Sequence, residues 1–185
     1  MAELAERRAT YDDLMQVPPE RVAEILAGRL VTHPRPAPKH AVASSSLGDE
    51  LVGPFQKGRG GPGGWWILDE PELHLCADVL VPDIAGWRRG RMPTLPETAW
   101  FELSPDWICE VLSPSTARDD RVLKMPVYAR AGIGYLWLVD PILRTLEAYA
   151  LDAGHWVLLG SYGDDARVSA PPFGAIEIDL QVLWA

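Results

Sequence analysis

Short apolar runs separated by glycine- and proline-rich stretches dominate the chain and predict a β-rich domain with few helices. The strand-like runs are WWIL, ELHLC, DVLVPDIAGW, DWICEVL and GYLWLVDP, and shorter strands alternate with turns in the last third. RVAEIL and RLVTH flank Ala27-Gly28, where Gly28 suits the positive φ of a tight turn. This pattern predicts an antiparallel N-terminal hairpin, although RVAEILAGRL also fits a helix.

Three segments carry helical signals. Thr10 and Asp13 resemble a capping box ahead of a brief leading helix. The run HAVASSSLGDELVGPF repeats its apolar positions at near-helical spacing and predicts a second helix. The hydroxyls of the SPST segment, Ser113 to Thr116, favour the start of a third helix, which should run to about Ala131 and be kinked by Pro126.

Length and composition predict one globular domain over residues 1–185, because 185 residues with 48% apolar content suffice for one core. No stretch has the roughly 18 uninterrupted apolar residues of a membrane span. The N-terminal stretch MAELAERRATYDDL has no apolar segment typical of an export signal, so we expect a cytoplasmic protein. Cys76 and Cys109 are too far apart for a CxxC motif, and we expect buried free thiols.

The net charge of −9 counts against tight DNA binding, since duplex affinity draws on phosphate neutralisation by Lys and Arg. A local basic groove and a scatter of solvated charges both remain open. The residues that could form the groove are Arg29, Arg35, Lys39, Lys57, Arg59, Arg88, Arg89 and Arg91.

Two acidic residues stand in apolar surroundings. Alternation along DVLVPDIAGW puts Asp83 on the face of Val81 and Ala85, and alternation along WICEVL puts Glu110 beside Ile108 and Leu112. A buried carboxylate takes up a proton unless a cation or several donors compensate it. The pair therefore predicts a shared cation.

A basic group follows on the next helix. Asp120, Lys124 and Tyr128 are each four residues apart, so they fall on one helical stripe. Oxygen ligands and the lack of a Cys/His cluster favour Mg²⁺ or Mn²⁺ over zinc. Such an ion beside a lysine suits phosphodiester hydrolysis, because both stabilise developing negative charge.

These residues belong to a recognisable set of motifs. Pro82-Asp83 ends a strand, EVLSPST spans Glu110 to Thr116, and Gly132 follows the Asp120/Lys124/Tyr128 helix ahead of YLWLVDP. In these motifs, and in TYDDLMQVP and AEILAGRLV, the sequence resembles the Uma-type restriction-endonuclease family of the PD-(D/E)xK superfamily. The resemblance extends to about Tyr149.

The resemblance implies an α/β fold with a restriction-endonuclease-like mixed central β-sheet flanked by helices, an N-terminal hairpin and a β-rich C-terminal third. It implies that Asp83 and Glu110 bind the metal, that Lys124 is the catalytic lysine, and that Glu24 completes the metal site. The chain departs from the plain E-x-K pattern, in which the lysine stands two residues after the glutamate, because that position is Leu112. It also has His40-Ala41 where the family often has His-Gln.

We therefore expect a Mg²⁺- or Mn²⁺-dependent endonuclease that acts on DNA and forms a homodimer. Two other functions stay open: a catalytically inactive nucleic-acid-binding or regulatory module, and a structural homodimer packed through Trp-rich strands. Each site residue also has a plainer interpretation. Asp83 would form a turn, Glu110 would reach solvent from an edge strand, and Lys124 would pair with Asp120 on an exposed helix face.

Overall fold

A computed structural model describes residues 7–185. Residues 1–6, which belong to the N-terminal stretch searched for an export signal, lie outside the described part. Across residues 7–185, no helix combines the length and the apolar character needed to cross a membrane.

The central element is a mixed sheet of six strands in the order β10-β9-β8-β7-β6-β3. All neighbours run antiparallel except β7 and β8, which are parallel. The helical segment between β7 and β8 provides the crossover that a parallel pair requires. The strands are β3 Trp65–Asp69, β6 Ile84–Arg88, β7 Trp107–Val111, β8 Tyr135–Asp140, β9 Thr145–Asp152 and β10 His155–Gly163.

A second sheet of four strands, in the order β2-β1-β5-β4, contains the predicted hairpin. Positive φ angles at Ala27 and Gly28, 53° and 79°, give the tight turn whose twist matches paired strands. The hairpin prediction is therefore confirmed over the helical alternative. The strands are β1 Arg21–Leu26, β2 Arg29–Pro34, β4 Leu73–Leu75 and β5 Asp78–Leu80, while β11 Arg167–Val168 and β12 Ile178–Asp179 form a separate pair.

The helices lie where the capping signals and periodicity predict them. Helix α1 is Tyr11–Met15, with the Thr10/Asp13 capping box formed, and α2 is Pro38–Leu51. The third helix consists of α3 Ala117–Asp119, a π-helical turn at Asp120–Lys124, and α4 Met125–Arg130. A second π-helical turn, Val52–Gln56, continues α2, and the chain ends in a 3₁₀ helix at Leu180–Leu183.

Both π-helical turns lie at a proline. Pro54 is within the first turn, and Pro126 lies two residues after the end of the second. Proline lacks an N–H and its ring clashes with the carbonyl four residues earlier, so the α-helical ladder is interrupted. The irregularity predicted at Pro126 is therefore present as a wider turn rather than as a break.

The structure corrects two expectations. DVLVPDIAGW is two strands in two different sheets, because Val81, Pro82 and Asp83 form an irregular crossing between β5 and β6. Pro82 cannot donate to a ladder, so one continuous strand is disfavoured there. Cys76 is exposed rather than buried, while Cys109 is buried as expected.

Hydrophobic residues pack on both faces of the six-stranded sheet. On one face, α2 and the C-terminal segment cover β3, β7, β8 and β9, and on the other face the small sheet and α4 cover β6, β7 and β8. Trp87, Trp107 and Trp137 are fully buried.

Phe173 anchors the C-terminal segment to the main sheet. Its ring centroid lies 4.6 Å from that of Phe55, 4.8 Å from that of Trp107 and 5.6 Å from that of Trp137. The β-rich C-terminal third thus shares one core with α2 and the central strands. We expect residues 1–185 to unfold as one domain.

Replacing Phe173 tests this expectation. Phe173→Ala should lower the free energy of unfolding by about 3–5 kcal/mol, the usual cost of emptying a buried aromatic site. Urea denaturation should still show one cooperative transition. Val182→Ala, at a side chain that is 45% exposed, is the control and should change stability by less than about 0.5 kcal/mol. Two separate transitions would contradict the single domain.

Candidate functional site

A cavity of about 250 Å³ lies between the small sheet, the end of β7 and the α3–α4 helix. Acidic residues from five different segments line it, together with one lysine, one arginine and two histidines. These lining residues are Glu24, His33, Arg35, His40, Glu70, Asp83, Glu110, Asp120 and Lys124.

Glu24 faces the cavity from the middle of β1 and is fully buried. The backbone N–H of Val81 donates to Glu24 Oε1 over 2.8 Å, which ties the carboxylate to the β5–β6 crossing. Glu24 Oε2 has no hydrogen-bond partner among the described residues, and Nε2 of His33 is 3.8 Å away from it. A buried carboxylate oxygen is thus left without a donor.

Glu110 lies near the C-terminal end of β7, on the sheet face of Ile108 and Leu112, as alternation predicts. Its side chain is 2% exposed, so the alternative of an edge-strand carboxylate in solvent is excluded. The hydroxyl of Tyr128 donates to Glu110 Oε1 over 2.5 Å. Tyr128 therefore holds one oxygen of this carboxylate in place.

Lys124 comes from the π-helical turn and points its ammonium group into the acidic cluster. Its Nζ lies 3.1 Å from Glu24 Oε1, 3.3 Å from Glu110 Oε1 and 3.3 Å from Asp120 Oδ1. The pair with Asp120 exists as the plainer interpretation expected, but on a buried face, since Asp120 is 2% exposed and Lys124 5%. The ammonium joins three elements of the fold.

Asp83 is at the start of β6, where its two carboxylate oxygens have different partners. The backbone N–H of Val111 donates to Oδ2 over 2.7 Å, and Nε2 of His40 lies 3.1 Å from Oδ1. The first contact fixes Asp83 to the end of β7, one residue beyond Glu110. The second brings the buried His40 of α2 into the site.

Burial dominates the electrostatics of the cluster. It raises the pKa of Glu110 well above its ordinary value, against the attraction of Lys124 and with repulsion from Asp120 and Asp83. Burial raises the pKa of Asp120 in the same way. Four carboxylates thus share more negative charge than Lys124 alone compensates.

Burial and the nearby carboxylates also shift the pKa values of Lys124, His40 and Tyr128. Burial alone lowers the pKa of Lys124, but the surrounding carboxylates, Glu110 first, raise it well above its ordinary value, so the ammonium stays charged at neutral pH. For His40, burial likewise lowers the pKa while the contact with Asp83 raises it, with a net rise. Burial and then Glu110 raise the pKa of Tyr128, which remains a neutral donor.

The donor set suits a hard divalent cation, because it consists of carboxylate oxygens and includes the unpartnered Glu24 Oε2. Within residues 7–185, however, no three His, Cys, Asp or Glu side chains already form a metal cage. The ammonium of Lys124 lies among the oxygens that such a cage would use. The residues fit a cation, and Lys124 supplies that positive charge here.

All four residues singled out from the sequence, Glu24, Asp83, Glu110 and Lys124, line this one cavity. The cavity also contains His40, which the sequence marks only as a departure from the family pattern, and His33, to which the sequence assigns no role. A hairpin signal was available for His33, because the Ala27-Gly28 turn pairs Glu24 with Val31 and Val22 with His33, on the same face. The burial of Asp120 had no such local signal.

Four of the eight candidate basic residues can be placed by their contacts. Arg35 lines the cavity, whereas Arg29 lies near the hairpin turn. Arg91 pairs with Asp106 at 3.1 Å, and the Arg89 guanidinium lies 3.9 Å above the Trp66 ring. The scattered arrangement is thus the better description for these four.

The fold and the buried acidic cluster are those of a nuclease-like protein. The family model "Uma2: Putative restriction endonuclease" matches residues 8–182. The chain therefore belongs to the Uma2 family, which confirms the resemblance in its motifs and supports nuclease function in general.

A solved structure has a similar fold. It is titled "Crystal structure of a putative nuclease belonging to DUF820 from Anabaena variabilis ATCC 29413", and it is 22% identical to this chain with a TM-score of 0.74. The match covers 95% of this chain and 97% of that one. Among curated proteins, no match to this chain was found. The structural similarity confirms the restriction-endonuclease-like mixed α/β fold.

Removing one buried charge should stabilise the metal-free protein. The pKa of Glu110 is higher in the folded protein than in the unfolded chain. The stability that protonated Glu110 contributes is therefore complete below the unfolded-state pKa and is lost as pH rises through the folded-state pKa. Glu110→Gln imitates the protonated form, so it should raise Tm at pH 8 in EDTA. A gain of ~1 kcal/mol corresponds to roughly 2–4 °C for a domain of this size.

Glu177→Gln is the matched control, because that side chain is 56% exposed and the substitution should leave Tm unchanged. Differential scanning calorimetry at pH 5 and pH 8 measures both variants. If Glu110→Gln lowers Tm at pH 8, then the attraction to Lys124 outweighs burial and the proposed charge balance is wrong.

Proposed function

We propose that this chain is a Mg²⁺-dependent endonuclease, with Mn²⁺ as an alternative ion, that hydrolyses phosphodiester bonds in DNA. The observation that carries the proposal is the buried cluster of four carboxylates around one lysine, in a cavity of a nuclease-like fold. Membership of a family whose description reads "Putative restriction endonuclease" supports the same reaction class. We expect the protein to act in the cytoplasm.

Asp83, Glu110 and Glu24 would hold the ion in this proposal. Carboxylates on rigid strands are suitable ligands for Mg²⁺, which prefers hard oxygen donors and keeps several waters. When bound, the ion would polarise the scissile phosphate and lower the pKa of a water molecule. The unpartnered Glu24 Oε2 and the raised pKa of Glu110 both indicate that the cluster accepts more positive charge.

Lys124 would stabilise the negative charge that develops on the phosphate, or orient the attacking water. Its high pKa keeps it charged at neutral pH. Asp120, Tyr128 and His40 would act as positioning residues, through their contacts with Lys124, Glu110 and Asp83 respectively. Each contact restricts the rotamers of the side chain that would meet substrate or ion.

The net charge of −9 and the scattered arginines favour a second candidate, a nucleic-acid-binding or regulatory module without turnover. Such a module would keep the fold and bind nucleic acid through local contacts alone. The two candidates differ in one measurable property, which is metal-dependent cleavage.

A plasmid-nicking assay decides between them. The wild-type protein should convert supercoiled DNA to the open circle with Mg²⁺ or Mn²⁺ and not with EDTA. Asp83→Ala and Lys124→Ala should lose on the order of 10²-fold or more in rate, because each removes a charged group from the transition state. A single-stranded RNA tested in parallel reports the choice of nucleic acid.

Asp165→Ala, at an exposed acidic position, is the control and should cleave like the wild type. Equal cleavage rates in the wild type and in the Asp83, Lys124 and Asp165 variants would mean that the activity comes from another site or from a contaminant. Binding without cleavage in the wild type would support the inactive module instead.

Metal binding gives an independent readout of the site. Because the ammonium of Lys124 contacts Glu24 and Glu110, it should compete with an ion for the same oxygens. Lys124→Met should therefore bind Mn²⁺ more tightly, by roughly tenfold for each ~1.4 kcal/mol of relieved repulsion. Isothermal titration calorimetry measures the affinity, with the exposed Lys57→Met as control. An unchanged affinity would show that the ammonium and the ion do not share ligands.

A further inference from the structure

The outer strand β10 is the longest strand of the main sheet and ends it on one side. Its inner edge pairs with β9 over its whole length. Among residues 7–185, no other group bonds to the backbone of Val157 to Ser161. One edge of the main sheet therefore presents free N–H and C=O groups to solvent.

The other outer strands of the two larger sheets each have at least one hydrogen bond to a group other than the backbone of the neighbouring strand. On β3, the N–H of Ile67 donates to the Gln56 side chain over 2.8 Å, and Arg89 donates to the carbonyl of Trp65 over 3.2 Å. On β4, the N–H of His74 donates to the carbonyl of Phe101 over 2.9 Å. On β2, the guanidinium of Arg21 donates to the carbonyl of Thr32 over 3.0 Å. Among residues 7–185, the edge of β10 from Val157 to Ser161 thus differs from the other outer strands of these two sheets in having no such bond.

The side chains at this edge are apolar on both faces of the sheet. Val157, Leu158 and Leu159 are 45%, 52% and 44% exposed. Leu158 pairs with Tyr149, Val157 pairs with Ala150 on the opposite face, and Leu159 is the extra residue where the register with β9 shifts. A partner that covered one face would leave the other exposed. A strand that extends the sheet covers both.

The distribution of charge along the chain indicates which partner fits this edge. Two copies of a chain with net charge −9 repel each other, so they can associate only where the contact itself is nearly uncharged. From Gly154 to Gly163 the chain has no Asp, Glu, Lys, Arg or Pro, and its ionisable side chains are His155 and Tyr162. Natural edges usually carry such residues to prevent pairing. A two-fold axis across β10 would bring this neutral segment against its own copy, antiparallel.

We propose that β10 pairs with β10 of a second copy, so that the two six-stranded sheets join into one continuous sheet. The interface lies on Val157, Leu158 and Leu159, and not on the faces of Trp107 or Trp137, which the core already buries. This proposal does not depend on the nuclease activity.

Light scattering coupled to size-exclusion chromatography tests the proposal on the full chain. The wild type should have twice the mass of one 20.4 kDa chain at about 50 µM, and Leu158→Lys should elute as a single chain. Leu143→Lys is the matched control, because Leu143 is 70% exposed but lies in the turn between β8 and β9, and it should stay dimeric.

Circular dichroism and Tm confirm that Leu158→Lys is folded. Hydrogen exchange of the wild type is a second measurement that needs no variant. When the protein concentration is raised from 1 to 100 µM, the amides of Val157 to Ser161 should become at least tenfold more protected from exchange. A monomeric wild type, a dimer that survives Leu158→Lys, or exchange that does not depend on concentration would each overturn the proposal. Co-purification of a different polypeptide on this edge would overturn it as well.

Discussion

The ammonium group of Lys124 contacts three carboxylates from three separate elements, at the place where the small sheet, the main sheet and the crossover helix meet. Glu24 comes from β1, Glu110 from β7 and Asp120 from the helix itself. Three carboxylates brought together without a cation would repel each other and lose hydration, at a cost of several kcal/mol. The hairpin, the main sheet and the crossover helix therefore meet at one buried charge.

The crossover helix, and not a strand, supplies this lysine. In the plain E-x-K pattern the lysine would stand at position 112, on the same sheet face as Glu110, but Leu112 fills that position and packs in the core. The crossover helix covers the same face, and its wide turn at Asp120–Lys124 leaves both ends of the turn buried beside Glu110. The helix thus delivers the ammonium to the place that a strand residue would otherwise reach. π-Helical turns are frequent at functional sites for this kind of local reshaping.

Periodicity and turn chemistry predicted most of the fold, because they are local properties of the chain. The hairpin at Ala27-Gly28, α2, β7 and the crossover helix all follow from such signals. Two features depended on tertiary packing and were missed. Alternation across DVLVPDIAGW fails because Pro82 lies where the chain leaves one sheet for the other, and the Asp120 face is buried because the hairpin covers it. A helical stripe shows which side chains share a face, but not whether that face meets solvent.

The acidity of the chain and the chemistry of its site are connected. Glu24, Asp83, Glu110 and Asp120 are four of the 26 acidic residues, and they lie in a cavity rather than on the surface that nucleic acid would contact. The formal charge of −9 also counts Glu110 and Asp120 as ionised, although burial raises the pKa of both. Net charge therefore overstates the repulsion that a phosphate backbone would meet outside the cavity. Local potential, set by Arg35 at the cavity and by any bound cation, decides whether a phosphate can approach.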